Sequence, residues 1–325
     1  MNTDACSMFK KRAIKIVYPR VHMFSLDLSL LNGNMKSGSL GCSVWNFPMR
    51  IIVSASKINT VGGDLVGTHK QVELILSKFQ EQENIRNKAY EVKIVAPLEI
   101  REHIGLGSTT QVCAGVIEAL YEFENKKFDI DKLLFFDVGK SSACGAQLSL
   151  HPGFILEHGY RIADVGVCLH PDLYSWKEVF EKRFYSFNNC NWFLILAIPK
   201  KELSLSGRLE DNFWKQTYPE SEANVLKTCY TVFQEVIPSI YEKDFPRFIS
   251  AIKRITTRGS KKAEEDIQKE ATKKCLTEMQ EQFGFAAISS LGPTIYAFSK
   301  TEHCVLPENN ADYCFIKMRL GQEKR

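Results

Sequence analysis

The chain has 325 residues with 42 Lys and Arg against 38 Asp and Glu, a formal net charge of +4 and 44% hydrophobic residues. That length sustains a real core and predicts two lobes around a cleft, since single cores seldom grow past roughly 250 residues. The cations are scattered apart from short runs at 10–12 and 261–262, which argues against nucleic acid; no run approaches the ~18 apolar residues of a membrane helix, and the dispersed cysteines, without a CxxC pair, indicate neither a zinc site nor a disulfide framework.

Ile14, Ile16 and Tyr18 alternate with Ala13, Lys15 and Val17, which predicts a strand that Pro19 ends. Arg20, His22 and Asp27 follow directly, placing a fixed cation, a titratable ring and a carboxylate in one short segment. The plain alternative is a salt-bridged strand edge in which Asp27 pairs Arg20. Gly33, Gly38 and Gly41 are read as turns on the way to a strand over 50–54. The set Leu65, Val72, Ile75, Leu76 and Phe79 has a helical period and is expected to cover one face of a sheet. Tyr90, Val92 and Ile94 alternate as a strand that ends at Pro97.

The stretch 102–123 organises the rest. Gly105, Leu106 and Gly107 form a tight turn, Ser108, Thr109 and Thr110 supply hydroxyls and a cap, and Val112, Val116, Ala119, Leu120 and Phe123 recur at helical spacing. A glycine turn feeding a helix N-terminus offers unpaired N–H groups and a positive dipole end, so it suits an anion. Alone, the motif divides evenly between a phosphate cradle and a helix cap. Strand, loop and helix in succession favour the cradle.

Lys140, Ser141 and Ser142 stand beside glycines in a second candidate anion loop, with Lys140 as a point-charge partner for phosphate; the alternative is a polar turn. A domain boundary is placed in the polar run 186–191, before the buried-type strand 192–199, giving lobes 1–188 and 189–325. Residues 225–241, apart from Pro238, and 245–255 read as helices, and the charged segment 259–281 reads as a solvated helix face. Ser289, Ser290, Gly292, Pro293 and Thr294 form a small-residue turn between two apolar strands, a third candidate loop on the cleft.

In this order the loops resemble those of the GHMP kinase superfamily. Tyr18-Pro-Arg-Val-His22 is similar to its first motif, Ile104-Gly-Leu-Gly-Ser-Thr-Thr110 to its phosphate loop, and residues 289–294 to its C-terminal glycine-rich motif. Within it, the closer resemblance is to the beta-ribofuranosylaminobenzene 5'-phosphate synthase family, carried by Arg20, His22 and Asp27, by residues 103–111, by the 139–145 loop with Gly153-Phe-Ile155, and by residues 289–296. The sequence departs from that pattern at Ile288, where a glutamine is usual, at Leu291, where a tryptophan is usual, and at Lys140, in a loop usually rich in arginine and glycine.

The resemblance implies an α+β protein of two domains, an N-terminal α/β domain and a C-terminal ferredoxin-like domain, with the active site between them. It implies condensation of phosphoribosyl pyrophosphate with 4-hydroxy- or 4-aminobenzoate, releasing CO2 and pyrophosphate. It also implies Mg2+, with its protein ligands unassigned. Residues 105–110 with Ser141 and Ser142 would hold phosphates, Arg20, His22, Asp27 and Lys140 would be catalytic, and Ser289, Ser290, Gly292, Pro293 and Thr294 would bind substrate. Superfamily kinases often carry Ser-x-x-Asp where this chain has Ser142-Ala-Cys-Gly145, and a glycine accepts no proton. An ATP-dependent small-molecule kinase is the second possibility and a non-catalytic ligand-binding homologue the third. A cytoplasmic homodimer without nucleic-acid or membrane partners is expected.

Overall fold

Alternation and glycine placement decide the first half of the chain. In the computed structural model, which describes residues 11–29, 35–139, 143–157, 160–161, 184–186, 191–201, 203–204 and 208–320, β1 (Arg12–Val17) stops before Pro19 and β2 (Arg20–Asp27) begins after it. There follow β3 (Met35–Ser43), β4 (Met49–Ser56), β5 (Thr60–Gly63), α1 (His69–Gln82), β6 (Ala89–Val95), α2 (Ser108–Phe123), α3 (Asp131–Phe135), α4 (Ala143–Leu150), β7 (Phe154–Glu157), β8 (Tyr160–Arg161) and β9 (Phe184–Ser186). One sheet has the order β1-β4-β6-β5, and a second has β2-β3-β7-β9 with β8 paired to β3. Gly38 and Gly41 lie within β3, not in turns. Strand pairing overrides the glycine signal there, and a Cβ at Gly41 would come within 2.7 Å of the Val21 carbonyl and 2.6 Å of Cys144 Sγ, so only glycine lets β2 and α4 approach.

α2 lies on the first sheet because its apolar positions recur on one face. Val112, Val116, Ala119 and Leu120 are fully buried. Gly115 turns its bare Cα to β1 and β4, where a Cβ would lie 2.8 Å from Val17 Cγ1. Each such buried aliphatic side chain contributes about 1.5–3 kcal/mol, so packing on the sheet fixes the helix and with it the loop at its N-terminus.

The second half contains β10 (Phe193–Pro199), α5 (Arg208–Thr217), α6 (Glu222–Thr231), α7 (Ile237–Glu242), α8 (Phe245–Thr256), α9 (Gly259–Asp266), α10 (Glu270–Phe283), β11 (Ala286–Ile288), β12 (Ile295–Ser299) and β13 (Tyr313–Arg319). Its antiparallel sheet has the order β11-β12-β10-β13. α8 is capped by Asp244, which accepts from Arg247 N at 3.1 Å, and its buried Phe248 packs between Trp192 and Phe298, with ring centroids 4.7 and 5.2 Å away. The whole is a two-domain α+β fold. No helix among the described residues is long and apolar enough to cross a membrane.

The segment 259–281 departs from its expected role as a solvated face. Lys261 and Glu264 of α9 are 4% and 3% exposed. The two charges pair with each other inside the protein, which explains the reversal.

Candidate active site

The Gly105–Gly107 turn adopts left-handed backbone, with φ of +83° at Gly105 and +60° at Gly107. Ile104 and Leu106 are buried on either side of Gly105 and anchor it. Gly107 is the N-cap of α2 and no side chain caps it. The Ser108 hydroxyl is directed away, donating to the Arg101 carbonyl at 3.1 Å. Thr109 Oγ1 lies 3.3 Å from Thr68 Oγ1. No side chain caps the first-turn N–H groups of α2, and the positive end of its dipole lies at this turn, which makes the turn a candidate anion cradle.

Strand β2 brings Arg20 against this cradle. Arg20 N donates to the Leu106 carbonyl at 2.8 Å, and a Cβ on Gly107 would lie 2.8 Å from Arg20 Nε. Burial lowers the guanidinium pKa, opposed by Cys144, Glu264 and Glu210; it stays a cation, as arginine does in proteins. His22 is pushed well below its ordinary range by burial first, then by Arg20 and Lys261, so its ring is neutral. Its Nδ1 is shielded from solvent and makes no hydrogen bond among the described residues. Asp27 lies at the far end of the strand, where Oδ1 accepts from Ser29 N at 2.9 Å and from Ser29 Oγ at 2.7 Å.

The turn at 289–294 closes the site from the other domain. Ser289 N donates to the Thr294 carbonyl and Gly292 N to the Ser289 carbonyl, both at 2.9 Å, which folds the turn on itself. Ser289 Oγ donates to the Gly105 carbonyl at 2.7 Å and accepts from His22 N at 3.2 Å. Ser290 N donates to the His22 carbonyl at 3.1 Å, and Thr294 N donates to the Ile104 carbonyl at 3.2 Å. Gly292, at φ +73°, and Pro293 complete it, and Thr294 Oγ1 is buried with no hydrogen-bond partner among the described residues. Residues 105–110, Arg20, His22 and 289–294 thus meet in one place, while Asp27 is engaged at the strand's other end. Lys140, Ser141 and Ser142 lie outside the described residues.

Several neighbours of the site carry no signature in the sequence. Lys261 pairs with Glu264 and donates to the Ile288 carbonyl at 2.7 Å. Burial pushes Glu264 up to about 7 against the pull of Lys261 and Arg20. Gln268 Nε2 donates to the Leu291 carbonyl at 3.0 Å. The three-residue spacing of Lys261 and Glu264 on one face of α9, with Gln268 just past its end, is the available signal, and their polarity hides it. Glu102 Oε1 accepts from Thr68 N at 3.0 Å and Oγ1 at 3.2 Å. In the fourth loop residue of the sequence motif, Gly145, the carbonyl accepts from Gln111 Nε2 at 2.6 Å. Beside Thr109 and Thr110 a cleft of about 480 Å³ opens, walled by Leu74, Ile75, Phe136 and Val138.

No protein-family model matches the chain. A beta-ribofuranosylphenol 5'-phosphate synthase of Archaeoglobus fulgidus is 24% identical over 295 residues, 90% of each chain. The protein of that name from Methanocaldococcus jannaschii is 29% identical over 213 residues, 64% of this chain and 63% of its own. Among solved structures, phosphomevalonate kinase of Streptococcus pneumoniae superposes with a TM-score of 0.65 at 14% identity, covering 89% of this chain and 92% of its own. The loops in their order, the shared fold and the similarity in sequence make the chain similar to the beta-ribofuranosylphenol 5'-phosphate synthases, on a fold that phosphomevalonate kinase also has.

Proposed function

We propose that the chain is a synthase of the beta-ribofuranosylphenol 5'-phosphate type, joining phosphoribosyl pyrophosphate to 4-hydroxy- or 4-aminobenzoate with release of CO2 and pyrophosphate. The observation that carries this choice is at Gly145. Where superfamily kinases often place an aspartate, the backbone carbonyl of Gly145 is held by buried Gln111, beside a cradle whose nearest charged strand residue is Arg20. That arrangement favours stabilising departing anions over deprotonating a hydroxyl.

The ring carbon bearing the carboxylate forms a bond to the ribose anomeric carbon as the C–O bond to pyrophosphate breaks, the electron pair leaving with pyrophosphate. The C–CO2 bond then breaks and its electrons restore the aromatic ring, so no oxidant, reductant or protein nucleophile is required. In this scheme the α2 N-terminus and residues 105–110 hold phosphate oxygens, and Lys140, Ser141 and Ser142, which lie outside the described residues, contribute a charge and hydroxyls. Arg20 meets the charge that develops on the leaving group. Neutral His22 offers Nδ1 to a substrate polar atom, and Thr294 Oγ1 is a second such group. Among the described residues no three His, Cys, Asp or Glu side chains gather to hold a metal. Glu102 is the carboxylate beside the cradle that would help hold Mg2+, and the ion would there neutralise phosphate charge.

A second reading, an ATP-dependent kinase, draws on the cleft beside Thr109 and Thr110, whose apolar walls suit a planar ring next to bound phosphates. Incubation with labelled phosphoribosyl pyrophosphate, Mg2+ and each benzoate separates the two. Pyrophosphate and CO2 release that depends on the benzoate supports the synthase. ADP formation from ATP and a metabolite panel, without pyrophosphate release, would sink it. Lys140→Ala is expected to weaken phosphate-ligand binding with little loss of stability, measured by ligand titration beside thermal melting; unchanged affinity with lost stability would remove Lys140 from the site.

A further inference from the structure

Lys261 and Glu264 are among the most deeply buried charges of the described chain, at 4% and 3% exposed. Burying such a pair costs several kcal/mol per ion before their attraction returns it, and apolar residues of the same volume commonly hold a helix as well. Their neighbours give the pair another purpose. Lys261 reaches the Ile288 carbonyl at the entry to the 289–294 turn. Glu264 lies in the field of Arg20 of β2 as well as Lys261, while Glu220, ahead of α6, repels it. His22 of β2, lowered by burial first and then by the two cations, and Tyr296 of β12, raised by burial first and then by Glu264 and Cys42, also face the cluster, as do Glu210 and Cys144 through Arg20. Glu264 is thus the buried carboxylate that pairs Lys261 and also acts on Arg20, whose surroundings Glu210 and Cys144 share.

We propose that Glu264 is the resident counter-charge of the anion site, and that a phosphate-bearing ligand arriving at Arg20 takes over that role while Glu264 accepts a proton from solvent. The proposal rests on the assignment of residues 105–110 as a phosphate cradle. One ligand anion enters and one proton is bound to the Glu264 carboxylate; no bond in the ligand changes. Glu264 already sits near 7 through burial, so sharing Arg20 and Lys261 with a ligand moves it further up and leaves it protonated at neutral pH. Glu264 thereby acts on the substrate through Arg20, as a positioning residue.

Calorimetric titration of the full chain with pyrophosphate at pH 7.5, in phosphate-free buffers of different ionisation enthalpy, counts the protons taken up. If the ligand raises Glu264 by about one unit, roughly half a proton is absorbed and affinity falls about sixfold between pH 6.5 and 8.5. The difference between the native protein and Glu264→Gln cancels the protonation of pyrophosphate itself. The uptake is expected to vanish in Glu264→Gln and to persist in His22→Asn. Sulfate, which does not titrate in this range, gives the same count on the native protein alone, should Glu264→Gln fold poorly. Binding with no proton uptake, or with uptake lost in His22→Asn and kept in Glu264→Gln, overturns the proposal while the cradle stands. Absence of any pyrophosphate or sulfate binding overturns both.

Discussion

Gly105→Ala and Gly107→Ala separate the structural from the chemical work of the glycine loop. Both residues hold left-handed φ, +83° and +60°, so an alanine at either incurs about 1–2 kcal/mol of backbone strain. What a new Cβ meets differs. At Gly105 it would stand 2.4 Å from the Ser289 carbonyl and 2.9 Å from that of Gly292, both backbone atoms of the opposing domain. Neither yields without moving the turn, which adds about 1–3 kcal/mol of overpacking. The expected loss is therefore about 2–5 kcal/mol, a large part of the ~5–15 kcal/mol that stabilises a typical protein. At Gly107 the obstacle is the Arg20 side chain, 2.8 Å away at Nε. That group can swing aside, so stability should fall by only about 1–2 kcal/mol while the guanidinium leaves the cradle. Urea unfolding and benzoate-dependent pyrophosphate release, run on both variants, test the contrast. We expect Gly105→Ala to lose the greater stability and Gly107→Ala to lose more than tenfold in kcat at near-native stability. Gly105→Ala within about 1 kcal/mol of native would refute the described contact between loop and turn.

Asp27→Ala should lose about 1 kcal/mol, the scale of the hydrogen bonds Asp27 accepts from Ser29, with kcat held within a few-fold; a loss of a hundredfold or more in kcat would place Asp27 in the chemistry. Glu264 titrates near 7 when folded against an ordinary 4.5, so the folded state binds the extra proton in that window. Its contribution to stability is present below about 4.5 and lost as pH rises to about 7, by an amount of order 3 kcal/mol. His22, depressed by burial, has the opposite sign below its ordinary value of 6.5, so the comparison is made between native and Glu264→Gln, both of which retain it. The stability difference between the two, followed by urea unfolding from pH 5 to 8, should change monotonically in favour of the variant; a flat difference refutes the raised value.

The parts of the site legible in the sequence are those where backbone geometry is written in residue type. Gly105 and Gly107 announce a turn because only glycine takes those angles without strain, and the periodic apolar face from Val112 to Phe123 announces the helix behind it. The strand pair flanking 289–294 shows in its apolar runs in the same way. Gly41 misled because its role is close approach: the missing Cβ makes room for the Val21 carbonyl and Cys144 within a strand, and a local reading equates glycine with a turn. Lys261, Glu264 and Gln268 misled for a different reason. Burial is a property of what packs above a helix, and the Ile288 and Leu291 carbonyls that receive these side chains come from the other end of a long sequence separation. A charged face is solvated by default, and only tertiary contact reverses the default.

That reversal bears on how the two domains share one site. The contacts across the cleft are largely backbone on the N-terminal side: the carbonyls of Ile104 and Gly105, and both the N–H and carbonyl of His22. Such contacts fix distance without regard to side-chain chemistry, which lets one scaffold serve relatives of different activity. The charges beside the turn arrive separately, Arg20 from β2 and the Lys261–Glu264 pair from α9. Ile288 links the two layers, since its carbonyl accepts from Lys261 at 2.7 Å and Ser289, which follows it, grips Gly105 at 2.7 Å. The α9 pair and the glycine loop therefore hold adjacent residues of the same turn. A ligand that redistributes the charge of that pair acts on loop position and on electrostatics together.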